Sequence, residues 1–332
     1  MDSDAALIGA RLAVGIPGTE ATDDLIAHLR AIQAKSLVLF ARNFVSPEQL
    51  TRLIQALEAA LGWRLLVMVD HEGGRVIRFK TAVTRFPDAL TVGGSATPQE
   101  VEQQGVVEAN ELKRLGVHVN LAPCVDVLVE GADPIIGDRS YGSDPERVSA
   151  LGVARIQGLQ SHGVAACAKH FPGLGAVSRD PHKTLSDILL DQQTMHRVHL
   201  APFSAAIEAR VAMVMSSHVR YAAFGDPAGR PATFSVNIIR SLLRAHMGFT
   251  GLILTDDLAM GAIREQWSVG RAAVRAVHAG HDLLLICSED LRLQKEALAS
   301  LRQAYHEGQL DDPEELKASA ERIRQVREKF LA

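Results

Sequence analysis

Short hydrophobic runs, many of them rich in β-branched residues, recur along the chain and alternate with amphipathic stretches. Each run is almost continuously hydrophobic, as is typical of parallel strands that are buried on both faces. The pattern predicts eight strands, near Arg11–Ile16, Ser36–Phe40, Leu65–Asp70, Val117–Leu121, Val164–Ala168, Ala212–Ser216, Gly251–Leu254 and Asp282–Ile286. The spacing of hydrophobic positions between the runs predicts helices over Glu20–Ala34, Pro47–Leu61, Pro98–Leu115, Asp144–His162, Asp191–Arg210, Ser235–Met247, Val269–Ala279 and Pro313–Leu331.

This alternation of strands and helices favours the α/β class, and within it a single (β/α)8 barrel of the TIM type over a sandwich or a helix bundle. A length of 332 residues is common for a barrel of this kind that forms one unit. The chain shows no linker rich in Ser, Pro or Gly and no convincing internal repeat. We therefore predict one catalytic barrel domain over residues 1–332, with loops at 91–95 and 224–231.

Two of the predicted connections stand out by their length: about Leu121–Gly142 after the fourth strand and about Lys169–Leu190 after the fifth. Long connections without obvious regular structure are usually functional when they belong to a compact domain. In a (β/α)8 barrel, the loops that follow the carboxyl ends of the strands carry the active site. Both long connections are of that kind.

Composition and charge narrow the range of partners. The net charge is −4 at pH 7, which gives no sign of a basic surface for nucleic acid or an anionic membrane. Cys124, Cys167 and Cys287 lie far apart in hydrophobic runs, a spacing that favours buried free thiols and a reducing compartment. The N-terminal stretch begins with acidic residues and carries Arg11 in its apolar part, unlike a signal peptide. We therefore expect a cytoplasmic protein.

Polar and charged residues gather at the predicted carboxyl ends of four strands. They are Asp70, the pair Lys169 and His170, the pair Ser217 and His218, and the pair Asp256 and Asp257. Any one of them could simply cap a helix or face solvent. So many at the same end of a predicted barrel indicate an active site.

The loop after the fifth strand contains Asp180 and His182. An Asp two positions before a His can accept a hydrogen bond from one ring nitrogen and hold the other nitrogen toward a substrate. This arrangement suits the His to proton transfer near neutral pH, although a solvated loop explains the same short pattern. Because Gly173 and Gly175 precede the pair, we expect the loop to move.

Asp256 follows a buried strand end, where an ionised carboxylate can attack an anomeric carbon or bind a metal. Asp257 stands at the start of the next predicted helix, where an Asp commonly acts as the N-terminal cap. We therefore assign chemistry to Asp256 and a structural role to Asp257.

Several segments together resemble the signature motifs of the bacterial β-N-acetylglucosaminidases of glycoside hydrolase family 3. AKHFPGLG (168–175), followed by DPH (180–182), is similar to that family's KHFPGxG…DxH signature, and LTDDLAM (254–260) is similar to its SDDLxM nucleophile motif. The other matching segments are LFARN (39–43), VDHEGGRV (69–76), APCVDV (122–127) and GDRSYG (137–142). The matches occur in the family's order from about residue 36 to 287, so the resemblance extends over most of the chain.

The resemblance implies a retaining glycoside hydrolase, a β-N-acetylhexosaminidase that releases terminal β-linked N-acetylglucosamine (GlcNAc). Asp256 matches the nucleophile that forms the covalent glycosyl-enzyme. His182, supported by Asp180, matches the acid/base and replaces the second carboxylate of the usual scheme. The residues that match those binding the sugar hydroxyls are Asp70, Arg139, Lys169 and His170. The resemblance implies no metal and no organic cofactor.

Three positions depart from the family pattern. His71 stands where Gln is usual, which could change the hydrogen bonding behind Asp70. Pro181 replaces a small polar residue between Asp180 and His182 and restricts that loop, and Leu174 stands where a charged residue is frequent. None of the three removes a catalytic group.

A β-glucosidase of the same family is an alternative, but those relatives generally carry a second domain that supplies a carboxylate acid/base. A Schiff-base aldolase using Lys169 and a metal-dependent barrel hydrolase come from other classes. The aldolase explains neither the Asp180–His182 loop nor Asp256, and the hydrolase lacks a His-x-His at its first strand. A sugar-binding relative without activity is disfavoured because every catalytic position is filled.

The resemblance also suggests a substrate and a setting. A one-domain cytoplasmic member of the family would release GlcNAc from cell-wall (peptidoglycan) turnover fragments that bear 1,6-anhydro-N-acetylmuramic acid. Chitin-derived oligosaccharides stay open as alternative substrates. We expect a monomer with a small carbohydrate substrate and with no nucleic-acid or membrane partner.

Overall fold

The computed structural model describes residues 7–226, 229–310 and 312–331. The strands in these ranges are β1 Leu12–Gly15, β2 Ser36–Leu39, β3 Leu66–Val69, β4 Val119–Asn120, β5 Ala165–Phe171, β6 Ser186–Ile188, β7 Met213–Ser216, β8 Val219–Tyr221, β9 Leu252–Thr255 and β10 Leu284–Ile286. Eight of them form one parallel sheet in the order β10-β1-β2-β3-β4-β5-β7-β9. A parallel bridge between Leu254 in β9 and Leu283 before β10 joins the two edges. The predicted (β/α)8 barrel and its eight strands are therefore confirmed.

Helices connect successive barrel strands, and two more helices follow the last strand. They are α1 Asp23–Ile32, α2 Pro47–Leu61, α3 Ala89–Ser95, α4 Pro98–Arg114, α5 Pro145–Ser161, α6 Gln192–Thr194, α7 Ala201–Glu208, α8 Gly261–Arg264, α9 Val269–Ala279, α10 Leu291–His306 and α11 Pro313–Phe330. Two further segments, Met195–His199 and Asn237–His246, are π-helical. Each predicted helix is found, although one of them is broken into α6, a π-helical turn and α7. No helix of the described ranges has the length and apolar composition needed to span a bilayer.

Three helices differ from the prediction. Residues 91–95 were predicted as a loop because of Gly93 and Gly94, but they belong to α3. The Asp88 side chain caps this helix by accepting a 2.8 Å hydrogen bond from the Thr91 N–H, which offsets the low helix propensity of glycine. The predicted set also omits α8, which has only four residues, and α10. The buried residues of α10 nevertheless follow a helical spacing: Leu293, Gln294, Ala297, Leu298, Leu301 and Ala304.

A second, two-stranded parallel sheet lies outside the barrel and was not predicted. β6 and β8 pair with Ser186 opposite Val219 and Ile188 opposite Tyr221. Each strand has three residues, too few for an alternating pattern to be recognised. In the predicted loop at 224–231, residues 227 and 228 lie outside the described residues, and Phe224 ends a short 3-10 turn. The small sheet ties the long loop after β5 to the segment after β7.

Alternate residues of each barrel strand face opposite sides of the sheet. In β3, Leu66 and Met68 belong to the packed barrel interior, whereas Val67 and Val69 pack against the surrounding helices. The same interior cluster contains Ile323 and Phe330 of α11. The last helix therefore covers the amino end of the barrel, and the carboxyl end is left for the site.

The buried carboxylate of Asp282 holds the closing strands of the barrel to the last helix. It accepts hydrogen bonds from Arg244 at 2.7 Å, from Arg322 at 2.9 Å and from the Ser319 hydroxyl at 2.6 Å, and from the Ile253 N–H at 2.9 Å. Burial by itself would raise the pKa of Asp282, but the two arginines lower it below its usual value. The contact between the closing strands and the last helix therefore depends on the ionised carboxylate of Asp282.

We expect Asp282→Asn to lower the free energy of unfolding by about 3 kcal/mol, because two partly buried arginines then face a neutral amide. Since the pKa of Asp282 is lowered by folding, its contribution is present above the unfolded pKa of Asp and is lost as the pH falls below it. Denaturant unfolding at several pH values measures both effects. Asp24→Asn, at an exposed position of α1, is the control and should change stability by less than about 0.5 kcal/mol. Equal unfolding midpoints for the two variants at neutral pH would contradict this account.

Candidate active site

A cavity of about 370 Å³ lies at the carboxyl ends of the barrel strands. The residues to which the sequence gave a catalytic or sugar-binding role all line it: Asp70, Arg139, Lys169, His170, Asp180, His182 and Asp256. Ser217 and His218, two other strand-end candidates, are buried and do not line it. The other lining residues are Glu72, Arg75, Val76, Arg78, Ile135 and Met215. The fold thus brings the predicted site residues together from distant parts of the chain.

The two-residue period of the strands explains why three of these side chains point into the barrel mouth. Asp70, Lys169 and Asp256 each lie two positions after a residue of the apolar barrel interior. Those interior residues are Met68, Cys167 and Leu254. Successive inward-facing positions therefore pass from the hydrophobic interior directly into the polar site. This places the three groups on rigid strand ends.

Lys169 is almost fully buried, with 2% of its side chain exposed, and it lies between two carboxylates. Its Nζ is 2.7 Å from Oδ1 of Asp70 and 2.6 Å from Oε1 of Glu72. Arg139 donates two hydrogen bonds of 2.8 Å to Glu72, and Arg78 donates one of 3.2 Å to Asp70. The five residues form a chain of alternating charges along the wall of the cavity.

Pairing keeps these groups ionised in spite of their burial. Burial raises the pKa of a carboxyl, but the neighbouring cations lower the pKa of Asp70 and of Glu72 below their usual values. Burial also works against the charged form of Lys169, but Asp70 and Glu72 raise its pKa above the usual value. The wall therefore presents fixed charged donors and acceptors, which suit the hydroxyl groups of a sugar.

His170 is held from behind by a buried acid, Asp126. Its Nδ1 lies 2.7 Å from Oδ2 of Asp126, and the same carboxylate accepts the backbone N–H groups of His170 and Leu174. The Cys124 thiol is a further donor to Asp126, at 3.2 Å. Burial opposes ionisation of Asp126, but His170 and these hydrogen bonds lower its pKa. The network fixes the imidazole in one orientation toward the cavity.

Asp256 follows β9 at the other side of the cavity. Its Oδ1 accepts a 2.8 Å hydrogen bond from the Asp257 N–H, which leaves Oδ2 for other partners. Burial by itself would raise the pKa of the carboxyl. The opposing contributions come from the imidazoles of His218, His170 and His182 and from the Asp257 N–H, and the pKa is lowered. Asp256 is therefore ionised at neutral pH.

Asp257 has a structural role, but it is not the helix cap that the sequence suggested. Met260 is the residue before α8, and no side chain caps that helix. Oδ1 of Asp257 instead accepts the N–H groups of Ala259 and Cys287, each at 3.0 Å, and ties the end of β9 to the end of β10. Burial raises the pKa of Asp257 to about 6.

The loop after β5 carries Asp180 and His182 into the same cavity. Oδ1 of Asp180 accepts two hydrogen bonds of 2.8 Å, one from the His182 N–H and one from its Nδ1. These bonds outweigh the modest burial of Asp180 and lower its pKa. An imidazole that donates from Nδ1 keeps Nε2 for proton transfer. The His182 side chain is 52% exposed, in contrast to the buried Lys169.

The unusual His71 is held by its backbone. Its N–H donates to Oδ1 of Asn120 at 3.1 Å, and its carbonyl accepts from Nδ2 of the same residue at 2.9 Å. The ring stacks against Phe79, and Nδ1 has no hydrogen-bond partner in the described structure. Burial, together with the charges of Arg155 and Arg78, lowers the pKa of His71 to about 4. The departure therefore adds no charge behind Asp70.

The sequence reasoning did not assign three residues that the site uses. Glu72 and Arg78 hold Lys169 and Asp70, and Asp126 orients His170. All three stand in or next to the segments that follow β3 and β4, and Asp126 is fully buried. The sequence signal for Asp126 is an acid within a hydrophobic run, APCVDV (122–127), close to a predicted strand end, although this pattern does not identify His170 as its partner.

The chain is similar to known proteins over most of its length. Residues 12–326 match the family model described as "Glycosyl hydrolase family 3 N terminal domain". The chain is 37% identical to the beta-hexosaminidase of Thiobacillus denitrificans over 299 residues, which cover 87% of this chain and 81% of that protein.

Solved structures give the same picture. A glycoside hydrolase family 3 beta-N-acetylglucosaminidase from Paenibacillus sp. str. FPU-7 has a TM-score of 0.95 and 34% identity, over 98% of this chain and 62% of that one. This chain therefore spans less than two thirds of the Paenibacillus protein. NagZ from Neisseria gonorrhoeae, in complex with N-trifluoroacetyl-D-glucosamine, has a TM-score of 0.82 and 31% identity, over 97% of this chain and 91% of that one. The predicted resemblance is confirmed: the chain belongs to glycosyl hydrolase family 3 and is an enzyme related to the beta-hexosaminidases.

Proposed function

We propose that the chain is a retaining β-N-acetylglucosaminidase in which Asp256 is the nucleophile and His182, supported by Asp180, is the acid/base. The observation that carries the proposal is which carboxylates around the cavity are paired with a cation or an imidazole and which one is not. Asp70 and Glu72 are neutralised by Lys and Arg, and Asp180 is bonded to His182. Among the described residues that line the cavity, Asp256 is the carboxylate without an ion-pair partner. It is ionised and is free to attack.

The reaction then has two steps. Oδ2 of Asp256 forms a bond to the anomeric carbon while the bond to the leaving oxygen breaks, and the imidazolium of His182 gives its proton to that oxygen. In the second step neutral His182 takes a proton from a water molecule, and that water displaces Asp256 from the anomeric carbon. Two displacements at one carbon retain its configuration. Asp180 holds the ring in the tautomer that these transfers need.

The charged wall supplies substrate binding. Lys169 and Arg139 can donate to sugar hydroxyls, and Asp70 can accept from them, while His170 adds a ring nitrogen held by Asp126. Because pairing has already fixed these side chains, little conformational entropy is lost when a sugar binds. The substrate is proposed to be a small carbohydrate with a terminal GlcNAc.

The physiological substrate is proposed from the resemblance to the family. It is a cell-wall turnover fragment in which GlcNAc is linked to 1,6-anhydro-N-acetylmuramic acid, with chitin-derived oligosaccharides as the alternative. The setting proposed with it is a cytoplasmic, one-domain monomer that has no nucleic-acid or membrane partner. The N-trifluoroacetyl-D-glucosamine bound to the Neisseria relative supports an N-acylated glucosamine as the recognised unit.

The Schiff-base alternative fits the site poorly. An amine must be neutral to attack a carbonyl carbon. Asp70 and Glu72 raise the pKa of Lys169 above its usual value, so that its neutral form is rare at neutral pH. Relative activity on β-glucosides separates the proposed enzyme from a β-glucosidase of the same family.

We expect the chain to hydrolyse 4-nitrophenyl β-GlcNAc with a kcat/KM at least about tenfold above that for the β-glucoside and β-GalNAc analogues, because missing or inverted polar groups leave buried partners unpaired. Activity is read from released nitrophenol. Equal or faster hydrolysis of the β-glucoside would return the assignment to a β-glucosidase. Inactivation by borohydride in the presence of a carbonyl substrate would favour the aldolase.

Asp256→Asn should lower kcat by on the order of 10³-fold or more, since an amide is a poor nucleophile, while the melting temperature stays close to that of the parent. A 2-deoxy-2-fluoro or 5-fluoro glycosyl fluoride that accumulates the intermediate should label Asp256, as mapped by peptide mass spectrometry. Asp24→Asn controls for the loss of one charge on the surface. Label found on Asp257 or Asp70 would show that the nucleophile is misassigned.

His182→Ala should slow hydrolysis of a GlcNAc disaccharide by about 10²–10⁴-fold and that of the nitrophenyl glycoside much less, since proton donation matters most for a poor leaving group. Asp180→Ala should act in the same direction but more weakly, because the imidazole remains. His162→Ala, exposed at the opposite end of the barrel, is the matched control. Equal losses on both substrates with an unchanged pH profile would remove His182 from the acid/base role.

A further inference from the structure

The loop that carries Asp180 and His182 is joined to the segment that directly follows the nucleophile. The Gly261 N–H donates to the His182 carbonyl at 3.1 Å, and the Ala262 N–H donates to the Pro181 carbonyl at 3.3 Å. Both donors stand at the start of α8, in the same connection as Asp256. Two consecutive carbonyls of the loop that carries the proposed acid/base are thus bound by the segment that follows β9.

This approach is possible because Gly261 has no side chain. A Cβ at that position would lie 2.7 Å from the His182 carbonyl oxygen, and it would come closer still to the carbonyl oxygen of Lys183. Both are backbone atoms, so that only a shift of the loop or of α8 could relieve the collision. The φ of Gly261 is outside the left-handed region, and alanine could adopt it. The glycine is therefore required by the loop and not by its own conformation.

Two further contacts make the turn a defined unit. The Thr184 hydroxyl donates to Oε2 of Glu265 at 3.1 Å, beyond the end of α8. Within the loop, the Lys183 N–H donates to the carbonyl of Asp180 at 3.1 Å. Since Asp180 also binds His182 through its side chain, a contact that fixes the backbone of the turn fixes the imidazole as well.

We propose that Gly261 is a positioning residue: by lacking a Cβ it lets the acid/base loop dock on the start of α8, and this docking holds His182 in the cavity that Asp256 lines. The proposal rests on the acid/base role of His182 given under the proposed function. The nucleophile and the acid/base are then both held by the connection that follows β9. Their separation is set by a backbone contact instead of by the free conformation of the loop.

The test compares Gly261→Ala with Gly94→Ala. Gly94 is an exposed glycine in α3 with open space around its Cβ position, so this control should behave as the parent does. With a GlcNAc disaccharide, Gly261→Ala should lose on the order of 10- to 100-fold in kcat/KM, a part of the about 10²–10⁴-fold that general acid catalysis supplies. With the nitrophenyl glycoside the loss should be about threefold or less, because that leaving group needs little protonation.

A second readout does not depend on activity. Hydrogen exchange of the peptides that cover residues 173–190 and 260–267 should become faster in Gly261→Ala and stay unchanged in Gly94→Ala. Thr184→Val removes the contact to Glu265 without introducing a clash, and it should show both effects in smaller measure. This variant keeps the test available if Gly261→Ala folds poorly.

The outcomes separate this proposal from the one on which it rests. Faster exchange together with a larger loss on the disaccharide supports the positioning role. Unchanged exchange and an unchanged substrate ratio in both variants overturn it, whatever His182→Ala shows. Faster exchange with an unchanged ratio also overturns the positioning role. In that case a normal leaving-group effect in His182→Ala preserves the proposed function, and the absence of that effect removes it as well.

Discussion

A charge can be buried at the mouth of a packed barrel only if a partner compensates for the water it loses, and this constraint organises the site. Lys169 has 2% of its side chain exposed and lies on the inward face of β5, directly above the apolar interior. It is stable there because Asp70 and Glu72 flank it, and these acids are held in turn by Arg78 and Arg139. Removing one member would leave its neighbour charged, buried and alone. The charged wall is therefore a single unit, and its rigidity follows from the same pairing that makes its burial possible.

Asp256 differs from these residues because no lysine or arginine of the described ranges pairs with it, and it is the residue that we propose as the nucleophile. The wall contains two carboxylates, Asp70 and Glu72, and three cations, so it carries one positive charge in excess. Asp256 lines the same cavity and is kept ionised by neighbouring imidazoles and a backbone N–H, without a salt bridge to any residue of the described ranges. A carboxylate neutralised by a lysine would be a poor nucleophile. Among its described residues, the cavity thus contains one set of charged groups that are paired with one another and one unpaired carboxylate, Asp256, that we propose reacts with the substrate.

The sequence predicts a feature of the structure when the residues that determine it lie close together along the chain. The inward orientation of Asp70, Lys169 and Asp256 follows from a strand, its end and a two-residue period, all readable in a short window. The role of Asp126 depends on His170, which the fold brings in from the next strand, and no local pattern shows that contact. The helix α3 differs from the prediction for a related reason: its two glycines are typical of a loop, whereas the Asp88 cap that starts the helix lies before the glycine-rich stretch. The assignment of Asp257 as a helix cap failed because its carboxylate bonds instead to the end of β10.

The site therefore combines two kinds of support. Asp70, Lys169, His170 and Asp256 stand on strand ends or directly after them, where the barrel fixes them. Arg139 comes from the connection after β4 and is held by Glu72. The proposed acid/base stands on a long loop with a half-exposed imidazole. A loop of this kind gains precision only through contacts that it makes elsewhere. The backbone bonds to Gly261 and Ala262 provide such contacts, and they attach the loop to the strand that carries Asp256. Glycine is a less favourable helix residue than alanine, by about 0.5–1 kcal/mol in a helix interior. Its presence at 261 is explained by the loop that packs on it. A small loss in local helix stability then maintains the relative position of Asp256 and His182, on which the proposed reaction depends.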